Sequence, residues 1–332
     1  MTAEWHTASA PGKFVVLGEH SVVYGKPALV LATDRRITCS VRRSSHFTVN
    51  GEHLDMSRQP HFSYLTRGMN YCLDFMTTSE IPSGAGMGSS AALSAALAMA
   101  IHNERGECLT ERNLVDEAYG AELQAQGSGS PMDASACVHG GGIAVNIPDG
   151  SDDLWTISRG ERTWRVSELI PPDLSFVIGN TGVKAPTGPQ VDKVRRYMKK
   201  NSFASEIIEE IGHVTMEGYA ALKRGDREAL GRLMTQDHKL LSILGVSCKE
   251  LNKLVNASLP YSYGAKLTGS GGGGCMVALT DKPDKVAEAI TSRGGMPMII
   301  KTGSEGVRME TSPVKGKPMD IPLYRGDWNG NA

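Results

Sequence analysis

Apolar positions along the chain fall into short runs separated by glycine-bearing turns. Residues 14–17 form one such run and read as a strand. Residues 27–32 and 37–42 read as two more, the second alternating as a half-buried strand does. Leu93, Leu97 and Ile101 recur every four residues and predict a helix over 89–102, with Ser89 or Ser90 as its cap. Thr110 is placed to open a second helix over 111–124. Residues 140–147 read as a glycine turn into a strand, and Pro171-Pro172 marks a boundary, giving expected domains 1–172 and 173–332. Beyond it the pattern predicts a strand at 174–178 and helices across 190–259, broken at Gly225 and Gly245. A strand at 275–279, a helix at 285–292 and a strand at 298–301 follow. Strands wrapped around helices in this order predict an α+β sandwich. Residues 303–332 are polar and read as a partly extended tail.

Composition adds mainly exclusions. The 332 residues carry 35 basic and 36 acidic side chains, so no global charge points to nucleic acid or a membrane surface. The six cysteines, at 39, 72, 108, 137, 248 and 275, include no C-x-x-C pair, which argues against zinc or redox chemistry and for a reduced, cytoplasmic setting. No targeting signal is expected at the N-terminus, and the longest nearly apolar run, 91–101, is too short to cross a bilayer.

Glycine is the informative residue. Its 38 copies cluster at 84–88, 127–129, 140–142 and 269–274. In "IPSGAGMGSSAA" (81–92), Gly84, Gly86 and Gly88 permit positive φ and close approach of backbone to a ligand. The following helix points its free N–H groups at the same place, and Ser89 and Ser90 add hydroxyls suited to a phosphate oxygen or Mg²⁺. The bland alternative, a capped and tightly packed helix, stands level with phosphate binding on this loop alone. The loop is not Walker A, since no Gly-Lys-Ser/Thr follows, and Ser89 stands where G-x-G-x-x-G needs its third glycine. Residues 269–274, "GSGGGG", do match that pattern, but a strand-like run follows where a dinucleotide site needs a helix. Lys13 opens an apolar strand and Glu19-His20 lie just past its end. Each alone reads as surface; together, beside Gly12, Gly18 and Gly25, they read as a polar pocket wall. Glu122, near a helix C-terminus, opposes the helix dipole and hints at a cation partner. Asp133, after a glycine-rich bend, is equally a cap or a functional acid.

Three of these segments together resemble the GHMP kinase superfamily. "PSGAGMGSSAA" resembles its phosphate loop, "KLTGSGGGGCMVAL" its third motif, and "APGKFVVLGEHSVVYGKPAL" its first, in the form carried by the compact archaeal-type mevalonate kinases. The resemblance spans 8–302. It implies two domains, the N-terminal one like ribosomal S5 domain 2 and the C-terminal one ferredoxin-like, with the active site between them. It also implies that Pro82, Ser83, Gly84, Ala85, Gly86, Met87, Gly88, Ser89 and Ser90 hold the phosphates of ATP, with Ser90 and Glu122 on Mg²⁺. Asp133 would be the catalytic base, with Lys13 beside it. Lys13, Glu19, His20 and Thr187 would contact mevalonate, and Gly271 in the third loop would support substrate and phosphate loop. Homodimers are common in the superfamily. Met132 departs from the small or polar residue usual before the aspartate. Lys184 adds a cation near the site, which keeps phosphomevalonate open as a substrate. Phosphomevalonate kinase and mevalonate 3-kinase are the near alternatives. A non-catalytic metabolite sensor is disfavoured because both Asp133 and Lys13 are present.

Overall fold

The computed structural model of the chain describes residues 4–127, 129–148, 153–185, 187–313, 318, 319 and 321. Two long strands, β1 (His6–Leu17) and β2 (Ala28–Ser44), pair antiparallel. The two runs expected at 27–32 and 37–42 are the halves of β2. The polar stretch between them stays in the strand because the Arg36 guanidinium donates to Ser9 on β1 and to the carbonyls of Glu305 and Gly306. Then come β3 (Thr48–Val49), β4 (Glu52–His53), α1 (Pro60–Leu65), β5 (Cys72–Ser79), α2 (Ser89–Glu104), α3 (Glu111–Gln126), α4 (Met132–His139), β6 (Gly142–Val145), β7 (Asp153–Arg159) and β8 (Arg162–Glu168). The second half holds β9 (Phe176–Asn180), α5 (Thr187–Lys200), α6 (Ser202–Lys223), α7 (Arg227–Ile243), α8 (Lys249–Ser258), β10 (Gly264–Thr268), β11 (Cys275–Leu279), α9 (Pro283–Ser292), β12 (Met296–Ile300) and β13 (Arg308–Glu310).

The first sheet runs β4-β3-β5-β2-β6-β8-β7, with β1 on β2 and β13 on β1. Helix α2 packs on β1 and β2, and α3 and α4 pack on α2. The second sheet, β10-β11-β9-β12, has antiparallel pairs throughout. Its inner strands read as continuous apolar runs because both faces are covered. Phe176, Ile178, Cys275 and Val277 face the core shared with the first sheet, where the Phe14 and Phe176 rings lie 4.9 Å apart. Val177, Met276 and Ala278 face a second core completed by α5, α6, α8 and α9. The α+β architecture is therefore as expected. The part of the polar tail within the described residues includes β13, whose pairing with β1 closes the first sheet's edge. No helix among the described residues is long and apolar enough to cross a membrane.

Several elements escape the sequence pattern. Strand β5 and the hairpin β7–β8 bury alternate residues such as Leu73, Phe75, Trp155 and Trp164, but charged residues interrupt the runs. The break at 201 has no glycine. There Asn201 ends α5 and caps α6 through its side chain, which accepts from the Phe203 amide.

Helix α7 lies backbone-to-backbone on β10. A Cβ on Gly231 would sit 2.3 Å from the Tyr263 carbonyl carbon, and one on Gly264 only 1.7 Å from the Gly231 oxygen. Replacing Gly231 with Ala is expected to cost about 2–3 kcal/mol, the upper range of an overpacked core. Urea denaturation would measure this. An unchanged midpoint would show that the contact yields without penalty.

Candidate active site

Lys13 sits where β1 steps out of register with β2, between Pro11 and Lys13. A bulge re-aims a side chain, and proline suits one because it has no N–H to donate. The Lys13 amide donates to the Met87 carbonyl, and its side chain passes close over Gly88, where a Cβ would lie 2.9 Å from Lys13 Cε. The Lys13 ammonium then reaches Asp133 Oδ2 at 2.9 Å and the Gly86 carbonyl at 3.3 Å. Lys13 is buried, whereas the Asp133 side chain, in the first turn of α4, is 37% exposed towards a cavity of about 570 Å³.

The glycine loop before α2 forms one wall of that cavity. Gly84, Gly86 and Gly88 all take φ near +70°, the left-handed region. Gly88 is the N-cap of α2, with no side-chain cap, contrary to the expectation for Ser89 or Ser90. The helix N-terminus is therefore left open, its first amides free for an anion. Ser83, Gly84, Gly86, Gly88, Ser89 and Ser90 line the cavity, whereas Pro82, Ala85 and Met87 do not. Ala85 and Met87 are core residues.

The second glycine loop packs directly on the first. A Cβ on Gly269 would sit 2.8 Å from Gly86 Cα, one on Gly86 2.8 Å from the Thr268 oxygen, and one on Gly274 2.9 Å from the Ala85 oxygen. Thr268 adds a cross-link, accepting from the Val15 amide at 2.9 Å and donating to the Val15 carbonyl at 3.2 Å. The glycines of both loops thus serve close approach of two backbones as well as turn geometry. Gly271 faces away from the cavity, towards the Val246 carbonyl; Gly269 and Ser270 line it.

Glu122 lies in the last turns of α3 and is 13% exposed. Its Oε2 accepts from Ser90 Oγ at 2.7 Å and Gln126 Nε2 at 2.9 Å, and its Oε1 accepts from Ser94 Oγ at 3.3 Å. His61 Nε2 lies 2.9 Å from Oε1. These neighbouring donors support a carboxylate placed against its helix dipole. His61 lies on α1, far from the motifs in sequence, and nothing in the sequence pattern marks it.

At the other end of the cavity, His20 adopts φ +61°, rare outside glycine. Its Nε2–H donates to the Ser270 carbonyl at 3.0 Å, tying the loop after β1 to the third motif. Burial lowers its pKa to about 4, so the ring is neutral near pH 7. Glu19 lines the same region, but its carboxylate is held by the buried Lys266 ammonium, which also meets Asp237. Lys266 opens the third motif, but nothing in the sequence marks its partner Asp237. Thr187, Met132 and Lys184 complete this face of the cavity, and the Lys184 stem lies over Gly84.

An open helix N-terminus, two interlocked glycine loops and a lysine–aspartate pair on one cavity define a small-molecule kinase. Family models agree: GHMP kinases N terminal domain matches residues 60–141, and GHMP kinases C terminal matches 219–294. GHMP kinases use ATP. The chain is 34% identical to the mevalonate kinase of Pyrococcus furiosus over 91% of its own length and 98% of that protein's. Among solved structures, L. major mevalonate kinase in complex with R-mevalonate aligns with TM-score 0.72 and 24% identity, covering 86% of this chain and 90% of that one. Streptococcus pneumoniae phosphomevalonate kinase, in complex with phosphomevalonate and AMPPNP, aligns with TM-score 0.72 and 17% identity, covering 89% and 99%. The chain belongs to the mevalonate kinase family of the GHMP kinases.

The neutral His20 is checked by imidazole NMR. Its ring resonances are expected to stay fixed between about pH 6 and 8, where an ordinary histidine titrates. A midpoint inside that window would mean the ring is solvated and not held against Ser270.

Proposed function

We propose that the protein transfers the γ-phosphoryl group of ATP to the primary hydroxyl of (R)-mevalonate, giving 5-phosphomevalonate and ADP, an early step of isoprenoid synthesis. The observation that carries this reading is the Lys13–Asp133 pair, 2.9 Å apart on a cavity that also receives the open N-terminus of α2. In this reading the loop amides from Gly84 to Ser90 cradle the phosphates, and the division 1–172 and 173–332 separates the ATP-binding half from the half carrying the third motif. The change of sheet between β8 and β9 supports that division.

Asp133 accepts the hydroxyl proton as the oxygen attacks γ-phosphorus, and the bond from phosphorus to the β-phosphate oxygen breaks. Lys13 offsets the charge on Asp133 and on the attacking oxygen. Because the transferred group needs little covalent help, alignment and charge neutralisation do most of the work. His20 and Thr187 hold the far end of the substrate.

Ser90 Oγ and Glu122 Oε2, hard oxygens 2.7 Å apart beside the phosphate loop, fit Mg²⁺ arriving on ATP. That ion keeps water and phosphate oxygens and takes only one or two protein ligands. When bound, Mg²⁺ would neutralise charge on the β- and γ-phosphates.

The decisive test is incubation with Mg·ATP and mevalonate, with the product followed by phosphorus NMR. A 5-phosphate supports the reading. Turnover of 5-phosphomevalonate alone would transfer the role of acceptor to that compound and make Lys184 its phosphate partner. Asp133→Asn is expected to lower kcat by about 10²–10⁴-fold, with ATP affinity within about threefold. Near wild-type kcat would remove Asp133 from the base role. Glu122→Gln is expected to raise KM for Mg·ATP and leave that for mevalonate unchanged in steady-state assays.

A further inference from the structure

Lys266 on β10, Glu19 after β1 and Asp237 on α7 are all buried, at 0%, 2% and 0% exposure. Lys266 Nζ donates to Glu19 Oε1 and to the Leu267 carbonyl, and lies 3.3 Å from Asp237 Oδ2. The two carboxyl groups also lie against each other. Beyond the Lys266 ammonium and the Gly18 amide, which faces Asp237, Glu19 Oε2 and the Asp237 oxygens find no hydrogen-bond donor among the described residues. Two carboxylates and one ammonium would leave a net negative charge in the core, with acceptor facing acceptor, which is strongly unfavourable. One proton between the carboxyls removes both faults: it neutralises the cluster and turns an acceptor–acceptor contact into a hydrogen bond.

We propose that Glu19, Asp237 and Lys266 form one neutral buried unit with a single proton shared between the two carboxyls, and that Asp237 and Lys266 are positioning residues for the substrate end of the cavity. The proton stands on the cluster alone. The positioning role rests on the mevalonate reading above. Glu19 directly precedes His20, whose ring is tied to Ser270, and Lys266 lies four residues before Ser270. The unit therefore holds both sides of that contact. A neutral unit also spares an anionic substrate a buried negative charge behind the wall.

Burial raises the affinity of Glu19 for a proton, to a pKa of about 8, against the pull of Lys266 and with a further push from Asp237; burial raises that of Asp237 as well. The other titratable groups packed here, His20 and His238, are neutral at neutral pH, each lowered to about 4 by burial. Their contribution to pH-dependent stability is confined to below about 6.5, where an unfolded histidine gains its proton. Between pH 6.5 and 8 the folded chain still holds the Glu19–Asp237 proton and the unfolded chain does not. Stability from this cluster thus falls as pH rises through that window.

The test compares wild type with Asp237→Asn and Asp237→Leu. The Asn amide can donate to an ionised Glu19, so the shared proton is no longer needed. The wild-type infrared spectrum at neutral pH should show a protonated-carboxyl C=O band that Asp237→Asn lacks. The fall in thermal midpoint above pH 6.5 should be shallower in Asp237→Asn. Asp237→Leu should raise KM for mevalonate about tenfold or more, leaving KM for ATP unchanged, and Asp237→Asn should restore most of the loss. No lost band and equal thermal slopes would overturn the shared proton. Equal rises in both KM values, or none, would overturn the positioning role. An absence of any mevalonate turnover would refute the functional reading above, while the infrared result would still decide the proton.

Discussion

Two glycine loops touching backbone to backbone make the cavity possible. One precedes α2 in the first sheet's half of the chain; the other follows β10 in the second. Gly86 and Gly269 leave no room for a Cβ on either, and a Cβ on Gly274 would press on the Ala85 carbonyl. This contact brings the open N-terminus of α2, the end of β1 and the third motif to one place, although they are up to about 250 residues apart in sequence. Of the four consecutive glycines, Gly274 serves this contact, while Gly271, Gly272 and Gly273 pack closely against Val246, Gln190 and Val183. The Thr268–Val15 hydrogen bonds fix the register of the contact, so that the bulge at Lys13 opens towards the cavity.

Two lysines then divide the electrostatic work by their surroundings. Lys13 is buried along its stem but meets an aspartate that is partly open to the cavity, so the pair can respond to a ligand. Lys266 meets its carboxylates with no solvent, and that pair of contacts can only hold shape. The same residue type with the same kind of partner is therefore open to the cavity in one setting and sealed in the other. Desolvation, not sequence identity, sets the difference. The chain's near-zero net charge conceals this arrangement, because both clusters are almost balanced internally.

What the sequence made legible follows from how local each signal is. Helices α2 and α3, the Thr110 cap and strand β11 depend on neighbours within a few residues, and the pattern located them within two or three residues. Strand β2 was split in two because its polar middle is satisfied by Arg36 contacts to Ser9 and to residues near 305, which no local window contains. At the site, Lys13, Asp133, Ser90 and Glu122 all came from motif segments, and the fold brings them to one cavity. His61, Asp237 and the role of Lys266 were invisible for the opposite reason: each matters only through a partner far along the chain. The expected serine cap on α2 failed because the same hydroxyl has a better acceptor in Glu122, which α3 supplies.

The fold by itself does not choose the substrate. A phosphomevalonate kinase at 17% identity aligns as well as a mevalonate kinase at 24%, both with TM-score 0.72. What is shared is therefore the fold, which leaves the substrate to the side chains that line the cavity. In the proposed reading, discrimination falls to the side chains around His20, which is strained, neutral and fixed to Ser270, with Met132 and Thr187 also lining the cavity. A neutral donor or acceptor there can recognise hydroxyl groups without adding a second cation to the site. Among the described residues lining the cavity, Lys184, whose stem lies over Gly84, is the cation besides Lys13 that could meet the extra charge of a phosphorylated substrate. With Lys13 and Lys184 beside the phosphate loop and a neutral His20 on the cavity, the charges suit an acceptor whose reacting end is a hydroxyl.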